Sequence, residues 1–206
     1  MRLSTTTTTI AFVFASSCLA TALPSSFSSS PHAASSSVVE EKRSTDQEIL
    51  TALAGTYTLV NTSSTLHDLP IPDEPYGAHP VGVLIYTASG YMSATITATE
   101  PFLRPNLTFP YQASDSDADW ALVGKHSVGY AGPLRINPDI PASETEGQVF
   151  HGPLTVANVP TWVGAEHRRN YTVVEREEEG KSVKYLEIGS ERGGGYRGIL
   201  WWKRVD

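Results

Sequence analysis

Residues 81–98 read Val-Gly-Val-Leu-Ile-Tyr-Thr-Ala-Ser-Gly-Tyr-Met-Ser-Ala-Thr-Ile-Thr-Ala. Two runs rich in β-branched and aromatic residues, 81–87 and 91–98, flank Ala88-Ser89-Gly90. A short loop carrying glycine between such runs is a hairpin signal. A three-residue loop sets Thr87 opposite Tyr91 and Tyr86 opposite Met92, and residues directly across a strand pair share a face. One face is then Gly82, Leu84, Tyr86, Met92, Ala94 and Ile96, and the other is Val81, Val83, Ile85, Thr87, Tyr91, Ser93, Thr95 and Thr97. The first is more uniformly apolar, with small residues interleaved, so it is expected to line an interior that leaves a cavity. A slip of one residue would reverse the assignment.

Working outward, the same kind of pattern recurs. Strand-like runs cover 56–61, 126–136, 147–156, 166–175, 181–189 and 196–204, which with the hairpin makes eight candidates. Pro138-Asp139, Gly180 and Gly193-Gly194-Gly195 supply turn chemistry between them. The connections are too short for crossover helices, so neighbours are expected to pair antiparallel. One long polar loop, 99–119, interrupts the run, with a short helix expected over 118–125 capped by Asp115 or Asp117. The acidic stretch 175–179 reads as a solvated turn. Ahead of the strands, Thr45-Asp46-Gln47-Glu48 has capping-box spacing and is followed by Ile49, Leu50 and Leu53, which predicts one or two turns of helix ending before Gly55. An all-β chain of this kind folds as a sandwich or as a closed up-and-down barrel, and eight strands is the number at which a barrel just holds side chains or one small ligand.

The chain has 206 residues, 15 basic and 22 acidic, a formal net charge of −7 and one cysteine. That is one domain with appendages. The acidic balance argues against a nucleic-acid partner, which calls for a basic stripe. Residues 1–22 read as a signal peptide: Arg2, an apolar stretch over 10–20, and small residues at Ala20-Thr21-Ala22. The stretch is too short to span a membrane. It contains Cys18, so the processed chain is expected to lack cysteine and to rely on its apolar core. Residues 23–43 are rich in Ser, Pro and Ala without periodicity and read as a disordered linker or pro-segment. They end at Lys42-Arg43, read either as a processing site of the fungal kexin type or as an ordinary charge pair. The domain proper is then 44–206. Three sequons, at Asn61, Asn106 and Asn170, predict glycosylation and solvent-facing side chains there.

Several blocks together carry a family resemblance. They are Gly55-Thr56-Tyr57-Thr58-Leu59-Val60, Pro75-Tyr76-Gly77, and above all Leu84-Ile85-Tyr86-Thr87 followed by Gly90-Tyr91-Met92-Ser93-Ala94. Tyr130-Ala131-Gly132, Pro160-Thr161-Trp162-Val163-Gly164 and Leu200-Trp201-Trp202-Lys203-Arg204 fit the same pattern. Over about 47–206 the chain resembles the lipocalin-like domain family of the calycin group, in a form suited to a fungal-type secreted member. The resemblance implies an eight-stranded antiparallel up-and-down β-barrel with an internal pocket and leaves the chemistry open. Barrels of this type usually begin with Gly-x-Trp, the ring packing on an Arg of the last strand. Here Tyr57 stands at that position, with Arg204 as the implied partner.

No nucleophile elbow, zinc-protease motif or phosphate-binding loop is present, and neither cofactor nor metal is expected. If Asn170 faces solvent, alternation turns His167, Arg169, Tyr171 and Val173 inward. An inward arginine needs an acceptor, from a carboxylate of the chain or from a ligand, unless it sits in water at the barrel mouth. His126, Tyr130, His151, His167, Arg169 and Tyr171 would then form a polar wall facing the apolar Leu84, Met92 and Ile96. Of Trp201 and Trp202, one faces the interior. The expected ligand-binding set is Leu84, Tyr86, Met92, Ala94, Ile96, Tyr130, Trp162, Arg169 and Tyr171. The leading expectation is a secretory-pathway protein that binds a small, mostly apolar or amphipathic molecule in the barrel. The alternative is a cofactor-independent cyclase or isomerase of a natural-product pathway on the same barrel, with His167, His151 and His126 as its catalytic candidates. A third reading is a structural protein with a filled interior. Nothing in the pattern specifies an oligomeric state.

Overall fold

Alternation of apolar and polar residues fixes the inner face of each strand, and the computed structural model, which describes residues 45–205, shows where those faces meet. Ten strands form among the described residues: β1 Gly55–Leu66, β2 Leu69–Ile71, β3 Val81–Thr87, β4 Tyr91–Thr97, β5 Ser127–Ile136, β6 Glu146–His151, β7 Val156–Ala157, β8 His167–Glu178, β9 Lys181–Glu191 and β10 Tyr196–Arg204. Eight of them are staves. β1, β3, β4, β5, β6, β8, β9 and β10 each pair antiparallel with the next, and β10 pairs back onto β1, so the sheet closes. Closure removes the exposed edges that an open sheet would present. β2 lies on the far half of β1, and β7 on β5.

The hairpin at 81–98 has the expected register, with Thr87 opposite Tyr91 and Tyr86 opposite Met92. Gly90 in its loop has φ of 80°, a left-handed conformation that costs a side-chain-bearing residue energy. Leu84, Tyr86, Met92, Ala94 and Ile96 are buried, while Val81, Val83, Ile85 and Tyr91 are exposed. β8 obeys the same rule: Tyr171 is buried, His167 and Arg169 are half-buried, and Arg168 and Asn170 are exposed.

Three expectations about element limits need correction. First, β1 runs on to Leu66 rather than stopping at Asn61. Its Thr- and Ser-rich second half carries little apolar signal of its own and is held by the backbone ladder to β10 and β2. Second, the acidic stretch at 175–179 is mostly strand: β8 continues through Glu178, paired with Lys181, and only Glu179-Gly180 turns. Third, the run expected over 147–156 breaks after His151. Gly152 adopts φ of 123°, where a Cβ would lie 2.4 Å from the Ala165 carbonyl oxygen, and Pro153 has no N–H for a ladder. The chain crosses instead to β5, pairing Val156 with Ala131 and Ala157 with Tyr130, and then makes a single 3-10 turn at Pro160–Trp162.

Helix α1 (Asp46–Leu53) lies against β3 and β5 at one end of the barrel. Its capping box is formed as expected: the Thr45 hydroxyl accepts from the Glu48 N–H, and the Glu48 carboxylate accepts from the Thr45 N–H at 2.7 Å. Gln47 donates to the Ala88 carbonyl at 2.9 Å, which ties the helix to the β3–β4 loop. Ile49 and Leu53 are fully buried, and each contributes roughly 1.5–3 kcal/mol by leaving water. The Tyr57 hydroxyl donates to the Leu53 carbonyl at 2.8 Å, and Tyr57 lies opposite Arg204 in the β1–β10 register. Together with Tyr86, Leu134, Val149, Tyr171 and Leu186, these residues close this end of the interior. Helix α2 (Asp117–Lys125) precedes β5; its cap is Ser116, accepting from the Asp119 N–H, rather than Asp115 or Asp117.

Candidate functional site

Toward the end of the barrel away from α1 the interior is not filled. A cavity of about 290 Å³ remains, at the lower limit of the roughly 300–1,000 Å³ common for ligand pockets. Inward side chains of most staves reach it: Leu84 from β3, Ile96 from β4, Tyr130 from β5, His151 from β6, His167 and Arg169 from β8, Ile188 and Ser190 from β9, Leu200 and Trp202 from β10. Tyr76, Trp162, Glu191 and Arg192 complete the wall from loops and strand ends. One side is apolar (Leu84, Ile96, Ile188 and Leu200), and the other carries imidazoles and a guanidinium.

The polar side follows from strand pairing. His151 and His167 are direct partners in the β6–β8 register, so both turn inward. The break after His151 carries Trp162 over them. Its ring lies 4.7 Å from His167 and 5.5 Å from Tyr130, edge-on to the latter, and Tyr130 lies 6.1 Å from His151.

Behind His151, the Tyr86 hydroxyl lies 2.6 Å from Nε2. Burial pushes the Tyr86 phenol well above its ordinary value and pushes His151 well below its own, with Arg169 and then His167 lowering the latter further. Both groups are therefore neutral near pH 7. If Tyr86 O–H donates to Nε2, one polar group, the Nδ1–H of His151, is left over. The reverse tautomer would strand both the phenolic proton and the Nδ1 lone pair. The first arrangement satisfies more groups and is assigned on that count. His167 is also held below the usual imidazole range, by burial and then by Arg169.

Among the described residues, His151 Nδ1, His167 Nε2 and Trp202 Nε1 are buried side-chain atoms with no hydrogen-bond partner. All three belong to residues lining the one cavity. A buried polar group left unpaired costs about 1–3 kcal/mol. Arg169 donates to the Arg168 carbonyl at 2.7 Å, and no described carboxylate lies within ion-pair distance of it. Glu191, the acidic residue of the wall, instead lies 3.6 Å from Arg197, which also pairs with Asp68. At the mouth, Tyr76 sits beside Arg192, whose guanidinium lies over the Tyr196 ring at 5.3 Å. The Tyr76 loop is tethered by the Glu100 carboxylate, which accepts from the N–H groups of Ala78 at 2.6 Å and His79 at 3.1 Å. No group of three or more His, Cys, Asp or Glu side chains able to hold a metal occurs among the described residues.

The residues singled out from sequence divide into three groups. Leu84, Ile96, Tyr130, Trp162, Arg169, His151 and His167 line the cavity. Tyr86, Met92 and Ala94 are buried in the core that supports it. Tyr171 and His126 stand apart from it. Tyr171 donates to the Ser143 carbonyl at 2.5 Å, and burial raises its phenol to about 12. His126 is the C-cap of α2, its Nδ1 3.3 Å from the Pro75 carbonyl oxygen, because the helix runs through Lys125 and β5 starts only at Ser127. Sequence reasoning missed Ile188, Ser190, Leu200, Tyr76 and Arg192. Alternation along β9 and β10 carries the signal for the first three, whereas the two mouth residues come from loops with no periodic pattern. Trp202 is the interior member of its pair, and Trp201 lies outside under Arg176, 5.6 Å from its ring. The sequon residues Asn61, Asn106 and Asn170 are all exposed. No helix among the described residues is long and apolar enough to cross a membrane.

No curated protein and no solved structure shows significant similarity to the chain. The family model of the lipocalin-like domain matches residues 54–205, from the last residue before β1 to the residue after β10. The match and the closed eight-stave barrel agree, and the chain belongs to the lipocalin-like domain family.

Proposed function

We propose that the protein binds one small, mostly apolar molecule with a polar end inside the barrel. The observation that carries this reading is the cavity itself: an apolar wall faces a wall carrying His151, His167 and Arg169, and three buried polar atoms of the lining residues have no partner. A filled, purely structural barrel gives no reason to keep an imidazole, a second imidazole and an indole N–H unpaired around one space. Native mass spectrometry of the purified chain tests the reading. Co-purification of a small molecule, released on denaturation, is the expected result. An unliganded chain that also fails to shift its tryptophan fluorescence with amphipathic probes would remove it.

Secretory-pathway targeting is part of the same proposal. Its support is the character of residues 1–22 and 23–43, which lie outside the described residues, and the exposure of all three sequon asparagines. Mass spectrometry of chain from a secreting host reads both the mature N-terminus and the glycans.

One observation favours a second reading, the cofactor-independent cyclase or isomerase. The Tyr86–His151 contact holds a neutral imidazole directly across the β6–β8 pair from a second one, His167, at the wall of the same cavity, an arrangement able to move a proton. His167→Ala separates the two readings. It abolishes turnover of any converted substrate in the enzyme, and only modestly weakens affinity in the binder.

A further inference from the structure

We infer that the polar end of the ligand is an oxygen anion, a carboxylate or an ionised enol or phenol, held by Arg169. The inference rests on the small-molecule reading above and names the chemistry of its head group. Arg169 is the cationic donor of the imidazole-bearing wall, and two neutral donors belong to residues that line the same cavity. Trp202 Nε1–H can only donate, and the Tyr86 contact leaves His151 with a donor at Nδ1. Arg169 projects from the same wall as His151 and His167 and has no carboxylate partner among the described residues.

The other charges around the space agree in sign. Arg192 stands at the mouth. The one acid of the lining, Glu191, is exposed and paired with Arg197. A cationic ligand would meet Arg169 uncompensated, and a neutral hydroxyl would leave the guanidinium without a counter-charge. An anionic oxygen answers Arg169 with a charge-assisted hydrogen bond. The apolar body then packs on Leu84, Ile96, Ile188 and Leu200, and the small volume limits it to a compact skeleton.

The test is isothermal titration calorimetry with octanoate and octanol on the purified chain, followed by the same pair on Arg169→Gln and Arg169→Lys. Octanoate is expected to bind at least tenfold more tightly than octanol. Arg169→Gln erases that preference by weakening octanoate far more than octanol, while Arg169→Lys keeps most of it. Equal affinity for the two probes overturns the anion assignment and leaves the binding reading standing; a preference for octanoate that survives Arg169→Gln overturns the assignment of the head group to Arg169. Binding of neither probe at millimolar concentration strikes the binding reading itself. The wild-type comparison requires no variant, so the inference stays open to refutation even if Arg169→Gln does not fold.

Discussion

Tyr86 and His151, 65 residues apart in the chain, meet side chain to side chain at 2.6 Å inside the barrel. The contact joins the apolar hairpin face to the imidazole wall and fixes which nitrogen of His151 is left unpaired. Replacing Tyr86 with Phe keeps the ring and removes the hydroxyl, so Nε2 loses its partner in a dry interior. We expect a loss of about 1–3 kcal/mol in unfolding free energy. Nitrogen-15 NMR of the His151 ring is expected to change from a single Nδ1–H tautomer to a mixture. An unchanged tautomer would mean that another group sets it.

The pH dependence of stability follows from the same residue. His151 is held below its ordinary value in the fold, chiefly by burial, and returns to that value when the chain unfolds. The unfolded state therefore binds the extra proton first as pH falls. The stability contributed by the neutral ring is complete above about pH 6.5 and declines below it, until the folded-state value is reached. The limiting slope for one such group is about 1.4 kcal/mol per pH unit. His167 shifts in the same direction and adds to the effect. Chemical denaturation at pH 7 and pH 5.5 is expected to show the loss, and His151→Gln to reduce its slope. Stability that rises on acidification across this window would contradict the environment described for His151.

The helix across the barrel end offers a more local test. Thr45→Ala removes the hydroxyl that caps α1 while leaving its buried face intact, with an expected cost of about 0.5–2 kcal/mol. Leu53→Ala leaves the cap and empties a fully buried site, with an expected cost of about 2–5 kcal/mol. Thermal or denaturant unfolding checks the order of the two. Similar, small effects would mean that α1 does not close the interior.

The hairpin at 81–98 was readable because strict period-two alternation and a glycine loop fix both register and face, and once the register was set the inward set followed. The barrel is legible for the same reason along β8, where one exposed asparagine orders all its neighbours. What failed to show is what tertiary pairing alone decides. The far half of β1 is strand because β10 lies beside it, and the break after His151 depends on Gly152 and Pro153 acting together. Of the candidate site, His151, His167 and Arg169 were visible as inward residues of neighbouring strands. Tyr76 and Arg192 were not, because loops that close a barrel mouth obey no period. His126 was placed on the polar wall by extending β5 one residue too far, into the end of a helix.

The Trp201-Trp202 pair turns the alternation into a measurement. Adjacent strand residues point to opposite faces, and here Trp202 is buried in the cavity wall while Trp201 lies outside beneath Arg176. A bound molecule should therefore perturb one indole and not its neighbour. Trp162 also lines the cavity, and Trp120 belongs to α2, so the comparison is made between single substitutions in the same background. Probe-induced quenching is expected to persist in Trp201→Phe at nearly its wild-type amplitude and to fall by roughly half in Trp202→Phe, because two of the cavity's indoles become one. Trp202→Phe also removes an unpaired buried N–H, so its stability cost should fall below the about 3–5 kcal/mol typical of emptying a buried aromatic site. A larger loss of quenching in Trp201→Phe would reverse the faces of β10, and with them the inward set from Leu200 to Arg204.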